Sequence, residues 1–190
     1  VWGGKMGPDG KLYVYGSFQN AGGDDTADNL AVYSPATGAW SGIGSNGAGD
    51  GAFASIVYDV DWYNGQLYAA GGFIGAGGLV GANYLAAWNG TTWTRRGGSA
   101  ALNGAVMNLS VAGGYLYLGG AFLNAGGDPT ADYIASFDGY SFHGLASAGA
   151  VDGDFTATVY ALDTLPDGRV FAGGTFVDVG PGGKCDAVCW

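Results

Sequence analysis

The chain has 190 residues, of which 40 are glycine, 48% are hydrophobic, 14% aromatic and only 12% charged, and its formal net charge is −10. Glycine costs roughly 1 kcal/mol per helix position against alanine, no long stretch carries a 3.6-residue apolar period, and aromatics run along the whole length, so a helical protein and a disordered one are both excluded. The acidic balance repels phosphate backbones and excludes nucleic acid as a partner, while no apolar run reaches the roughly twenty residues of a bilayer-spanning helix, which argues against membrane insertion.

Taken in chain order, the residues fall into four similar units. The first, residues 1–47, opens on an apolar run closed by the hairpin signal PDG at 8–10. Then come the strand LYVYGSF (12–18), the loop NAGGDDTAD, a strand ending at Tyr33, and after a turn another strand with Trp40. The second, residues 48–98, reads as strands at about 56–62, 67–73 (LYAAGGF), 84–88 and 92–96, with an Asn64-Gly65 hairpin turn and the loop GAGGLVGAN. The third, residues 99–148, repeats this as a Gly113-Gly114 turn, LYLGGAF (116–122), NAGGDPTAD, and aromatics at Phe137 and Phe142. The fourth, residues 149–190, has PDG at 166–168, VFAGGTF (170–176), DVGPGGKC and a last aromatic at Trp190, with no fourth strand.

In LYVYGSF, Leu12, Val14, Gly16 and Phe18 share one strand face and Tyr13, Tyr15 and Ser17 the other. Neither face is charged, and the same holds in the other copies, so this strand must be covered on both sides. Stacked four-stranded sheets achieve that, and the glycines late in the strand let backbones approach closely. The expected fold is therefore all-β, a β-propeller of four-stranded antiparallel blades of about fifty residues each, three complete and a fourth lacking its outer strand. A β-solenoid, whose coils take about twenty to thirty residues, fits the period less well. Because a propeller closes its ring, the expectation is a partial ring, either an excerpt of a longer repeat protein or one completed by a partner strand.

The run from LYVYG to AVYSPATGAWSGIG, residues 12–44, resembles a kelch repeat: a strand ending in glycine, then a tyrosine, then a tryptophan some six residues later. LAAWNGTTWTRRG and IASFDGYSFHGL keep the paired aromatics over a shorter turn. The GGxF-x-x-AGG variant is similar to kelch-like repeats of bacterial and viral surface proteins and of fungal polarity markers. The resemblance implies a propeller fold and leaves function open, because propellers host unrelated activities. The kelch architecture includes a copper oxidase, but its site needs paired histidines and His143 is the only one present.

The candidate sites are few. Asp24, Asp25 and Asp28 in the first loop, and Asp128 and Asp132 in the third, concentrate carboxylate oxygens of the kind calcium takes. The second and fourth loops lack the pattern, so turn-capping carboxylates are the favoured reading and no cofactor is expected. Asp152 and Asp154 resemble a calcium-loop fragment without the downstream glutamate. Asp59, Asp61 and Asp163 lie in innermost strands, where they are read as lining a wet channel or bonding neighbouring amides rather than as a glycosidase pair. His143 reads as a surface residue of an outer strand. Tyr63 and Tyr140, at turn tips and outside the repeating aromatic positions, are the ligand-binding candidates. Asn89 and Asn108 head glycosylation-type triplets, the first at an exposed turn and the second in an inner strand. Two thiols do not complete a metal site, and if their segment is a strand Cys185 and Cys189 lie on one face about 13 Å apart, too distant to pair, which leaves the redox compartment open.

The expected function is thus non-enzymatic: an extracellular or surface propeller module acting as scaffold or adhesion domain, engaging protein partners, copies of itself or glycans, with a virion or filament component as a variant. The alternative is the non-catalytic propeller part of a larger secreted enzyme acting on polysaccharide. An intracellular kelch adaptor is disfavoured by the low charge content.

Overall fold

A computed structural model describes residues 1–98, 101–145, 153–165, 169–177, 179 and 188–189. The chain is all-β among these residues, with antiparallel strands and only three-residue 3-10 turns between them. It divides into two compact units, Val1–Ser99 and Ala100–Trp190.

The first unit holds two four-stranded meanders. Strands β1 (Gly3–Met6), β2 (Leu12–Tyr15), β3 (Leu30–Ser34) and β4 (Ala39–Gly42) pair in that order. Strands β5 (Val57–Tyr63), β6 (Gln66–Gly71), β7 (Leu85–Trp88) and β8 (Trp93–Arg95) do the same. Between β5 and β6, Asn64 (φ 49°) and Gly65 (φ 73°) form the two-residue turn that matches strand twist, as the sequence signal requires. The sheets pack face to face: Tyr13, Tyr15 and Ile43 of the first lie on a core that includes Val57, Val60, Leu67, Phe73 and Trp93 of the second. Specific bonds fix this packing. The Trp93 Nε1–H donates to the Ile43 carbonyl (2.8 Å), Lys5 Nζ pairs with Asp61 (2.7 Å), and the rings of Tyr13 and Trp62 meet edge to face.

The second unit holds a four-stranded sheet, β9 (Val106–Ala112), β10 (Tyr115–Gly120), β11 (Ile134–Phe137) and β12 (Phe142–Gly144), and a three-stranded one. The latter pairs β13 (Val159–Thr164), β14 (Val170–Gly174) and β15 (Val188–Cys189). Ile134, Phe155, Val159, Leu162, Ala172 and Phe176 form the core between them. Across this junction the Leu162 N–H donates to Asn108 Oδ1 (3.1 Å), and the hydroxyls of Ser110 and Thr164 lie 2.7 Å apart.

Strand β6 is buried on both faces, with Leu67 4%, Tyr68 3%, Ala69 0% and Ala70 0% exposed, as its two uncharged faces demand. The repeating aromatics are cross-strand partners: Tyr33 opposes Trp40, Trp88 opposes Trp93 and Phe137 opposes Phe142. Three of the four inner pairs carry a register shift, at Val57/Asp59, Gly119/Gly120 and Val159/Ala161. Residues 166–168, Cys185 and Trp190 lie outside the described residues, as does Asp152, and Cys189 is placed in β15 opposite Ala172.

Candidate functional site

The loops joining the second and third strands of each complete sheet are one backbone built three times. Each begins with a left-handed residue (Asn20, Gly75, Asn124), makes a 3-10 turn over Ala-Gly-Gly, and ends in an extended residue (Asp24, Leu79, Asp128). The same bonds recur: Ala21 N–H to the Ala27 carbonyl, Ala76 to Ala82, and Ala125 to Ala131. Each loop rejoins its sheet through a non-glycine residue at positive φ, namely Asn29 (61°), Tyr84 (63°) and Tyr133 (60°). Such a conformation costs on the order of 1 kcal/mol or more, and the surrounding bonds hold it in place.

The carboxylates singled out in the sequence serve these loops. Asn20 N–H donates to Asp28 Oδ1 (2.7 Å) and Asn124 N–H to Asp132 Oδ1 (2.6 Å), while in the second loop Gly75 N–H donates to Asn83 Oδ1 (3.1 Å). Asp24 Oδ1 accepts both the Thr26 N–H (2.8 Å) and its hydroxyl (2.7 Å), and Asp128 does the same with Thr130 (2.9 and 2.7 Å). Asp128 Oδ2 also takes the Gly144 N–H (3.0 Å), which ties the loop to β12. Asp25 is exposed. Among the described residues, no three histidine, cysteine or acidic side chains gather as metal ligands.

The bonds lower the carboxyl pKa values of this clamp. The Thr26 hydroxyl, then the Thr26 N–H, holds Asp24 below its ordinary range. At Asp128 burial pushes upward, but the N–H groups of Thr130 and Gly144 and the Thr130 hydroxyl outweigh it. A depressed folded-state pKa stabilises the fold above the unfolded value and withdraws that stability as pH falls through the folded one. The melting temperature should therefore drop as pH falls below about 4, the ordinary carboxyl range. The drop should be smaller in the double variant Asp24→Asn, Asp128→Asn, read by thermal melts at stepped pH. Equal drops would show that these two carboxylates do not carry the effect.

The inner-strand acids are equally occupied. Asp59, Asp61 and Asp163 each accept the N–H of the following residue, at 2.8, 2.7 and 2.8 Å. Tyr15 bonds the Asp59 carboxylate, and burial first, then that negative charge, raises the Tyr15 pKa. Asn89 caps its turn by accepting from Thr91 and Thr92 (2.9 and 2.8 Å).

The two tyrosine candidates part company. Tyr63 is 2% exposed, with its ring edge-on to Tyr68, so its face is not offered to a ligand; a residue beside a turn still points inward when its strand parity demands it. Tyr140 is 90% exposed at the β11–β12 turn. Its N–H and that of Ser141 donate to Asp138 Oδ1 (both 2.8 Å), and Asp138 Oδ2 lies 2.9 Å from His143 Nε2. The Ser141 N–H, then His143, then the Tyr140 N–H lower the Asp138 pKa to about 2.

Beside this turn, pairing across β10, β11 and β12 sets Tyr117, Ser136 and His143 in one row, because directly opposed residues share a sheet face. Tyr115 joins them two residues earlier on β10. With Leu145 and Val170 they line an open cleft of about 340 Å³. Sequence reasoning placed His143 correctly on an outer strand but did not join it to Tyr115. The signal was there: both depart from the residues at the same places in the other repeats.

No known family model matches the chain, and no curated protein matches it. The structure itself must therefore carry the functional argument. A second surface feature bears on it. The loop of the second sheet keeps the common backbone but replaces the aspartate–threonine clamp with Leu79 and Gly81, and exposes Ile74 (66%), Leu79 (39%) and Val80 (84%). No helix among the described residues is long and apolar enough to cross a membrane.

Proposed function

We propose that the chain is a non-enzymatic β-propeller module, kelch-like in its repeat, of an extracellular or surface protein, and that it works as a scaffold or adhesion domain through protein contacts, including contacts between copies. The observation that carries this reading is the second loop. Its backbone needs no apolar surface, since the first and third loops make the same turn with Asp24, Asp25 and Thr26 or with Asp128, Pro129 and Thr130. Exposed Leu79 and Val80 therefore serve something other than folding, and with Ile74 beside them they form an apolar cluster on one surface loop that suits a protein contact. The meander sheets, stacked in pairs within each unit, suit a propeller's rigid frame. Asp59, Asp61 and Asp163 each accept the N–H of the following residue, a use of the carboxylates that suits a rigid frame.

Sedimentation velocity over a concentration series tests the proposal. The chain should self-associate, and Val80→Asp should weaken association by roughly tenfold or more, about 1.4 kcal/mol. Asp25→Ala, at the matching place on the first loop, should leave it unchanged. A chain monomeric throughout, or association indifferent to Val80→Asp, would remove the contact on which the reading stands.

A further inference from the structure

We propose that the cleft walled by Tyr115, Tyr117, Ser136 and His143 binds a neutral saccharide. The proposal rests on the reading of the chain as a recognition module and gives that module a ligand class.

The repeats act as internal controls for which residues the fold needs. Strand pairing places Tyr13, Tyr68 and Tyr117 at one position of three sheets, so a tyrosine there belongs to the common design. The other three positions are not shared. Where the third sheet has Tyr115, Ser136 and His143, the first has Lys11, Val32 and Ser41, and the second has Gln66, Ala87 and Thr94. A fold built twice with other residues at these three positions does not require Tyr115, Ser136 and His143 there the third time.

Together they make a complementary set. The rings of Tyr115 and Tyr117 lie 6.4 Å apart and inclined at 54°, forming a corner, and Tyr115 is 42% exposed. A sugar ring presents C–H groups on its faces and hydroxyls around its edge, which suits an aromatic wall flanked by hydrogen-bonding groups. Ser136 supplies a hydroxyl that donates and accepts. Asp138 is held ionised, so His143 Nε2 donates to its carboxylate and Nδ1 is the ring nitrogen left to meet a ligand hydroxyl. The cleft volume, about 340 Å³, lies at the lower end of the range for small-ligand pockets, about 300–1,000 Å³, and suits one or two sugar rings. Neutrality follows from charge. The lining holds no lysine or arginine among the described residues, and a chain of net charge −10 repels sulfated or sialylated glycans.

The test is a glycan array carrying neutral, sulfated and sialylated glycans, probed with the whole chain, followed by titration of the retained glycans. Neutral glycans should be retained. Tyr115→Ala and His143→Ala should each weaken binding by about tenfold or more, and Tyr115→Phe should hold it within about twofold. Lys11→Ala and Gln66→Ala, at the same place on the other sheets, should have no effect. Tyr115 is half exposed, so its variants should melt with the unaltered chain, which separates lost binding from lost folding. Retention of charged glycans alone, retention of none, or binding indifferent to Tyr115→Ala would overturn the proposal. If glycan binding is absent while Val80→Asp still abolishes self-association, the cleft assignment falls and the scaffold reading stands.

Discussion

Truncating Phe73 to alanine should lower the unfolding free energy by about 4 kcal/mol. Phe73 is 0% exposed and stands edge to face with Phe53 at 4.7 Å between ring centroids; Phe53 meets Trp93 at the same distance. The variant removes the transfer energy of a benzyl group, leaves a cavity that rigid strands on two sides resist closing, and deprives Phe53 of an aromatic contact worth about 0.5–1.5 kcal/mol. Phe18 occupies the same place in the first repeat but is only partly buried. Phe18→Ala should therefore cost about 1–2 kcal/mol, the area term without the full cavity. Urea unfolding of both variants measures the difference; equal losses would mean that burial at this repeat position does not govern its energy.

The second large effect is expected at Gly71, where alanine should cost about 3 kcal/mol. A Cβ there would strike the Ile56 carbonyl oxygen and come within 2.9 Å of Phe73 Cδ1. That same carbonyl accepts the Gly72 N–H at 3.0 Å, so methyl group and hydrogen bond compete for one place. The arrangement recurs: a Cβ at Gly120 would strike the Ala105 oxygen, which bonds Ala121 N–H, and one at Gly174 the Thr158 oxygen, which bonds Thr175 N–H. Gly72 is the control. Its Cβ would find its nearest neighbour, Tyr58 Cε2, at 3.7 Å, so Gly72→Ala should stay within about 0.5 kcal/mol. Thermal or urea melts that rank the two variants equally would refute the competition for the Ile56 oxygen.

The glycine doublets show how far the sequence could be read. Small residues late in the second strand do permit close approach, and at Gly119 the approaching atom is Val159 Cγ1 of the neighbouring sheet, as expected of stacked sheets. At Gly71, Gly120 and Gly174 it is instead a carbonyl within the same sheet, beside a register shift that no local pattern reveals. The loops divide in the same way. Turn-capping aspartates were legible, because aspartate beside glycine and threonine caps turns by known chemistry. The left-handed Tyr84 and Tyr133 were not, because a bulky residue is placed there only by bonds from both sides, such as Tyr84 N–H to the Phe73 carbonyl.

The sequence by itself determined the all-β class, the four repeating units and the pairing of second and third strands, since alternation, turn signals and period are local properties repeated along one chain. It also determined that the loop acids belong to turns. Only the tertiary structure decided which side chains reach solvent and which meet. Tyr63 and Tyr140 both border turns, yet strand parity and packing bury one and expose the other. Tyr115, Ser136 and His143 lie on three different strands, and only the register of β10, β11 and β12 makes them neighbours. The physical reason is the same in both cases: backbone pattern is written residue by residue, whereas a site is written in the contacts that pairing and packing create.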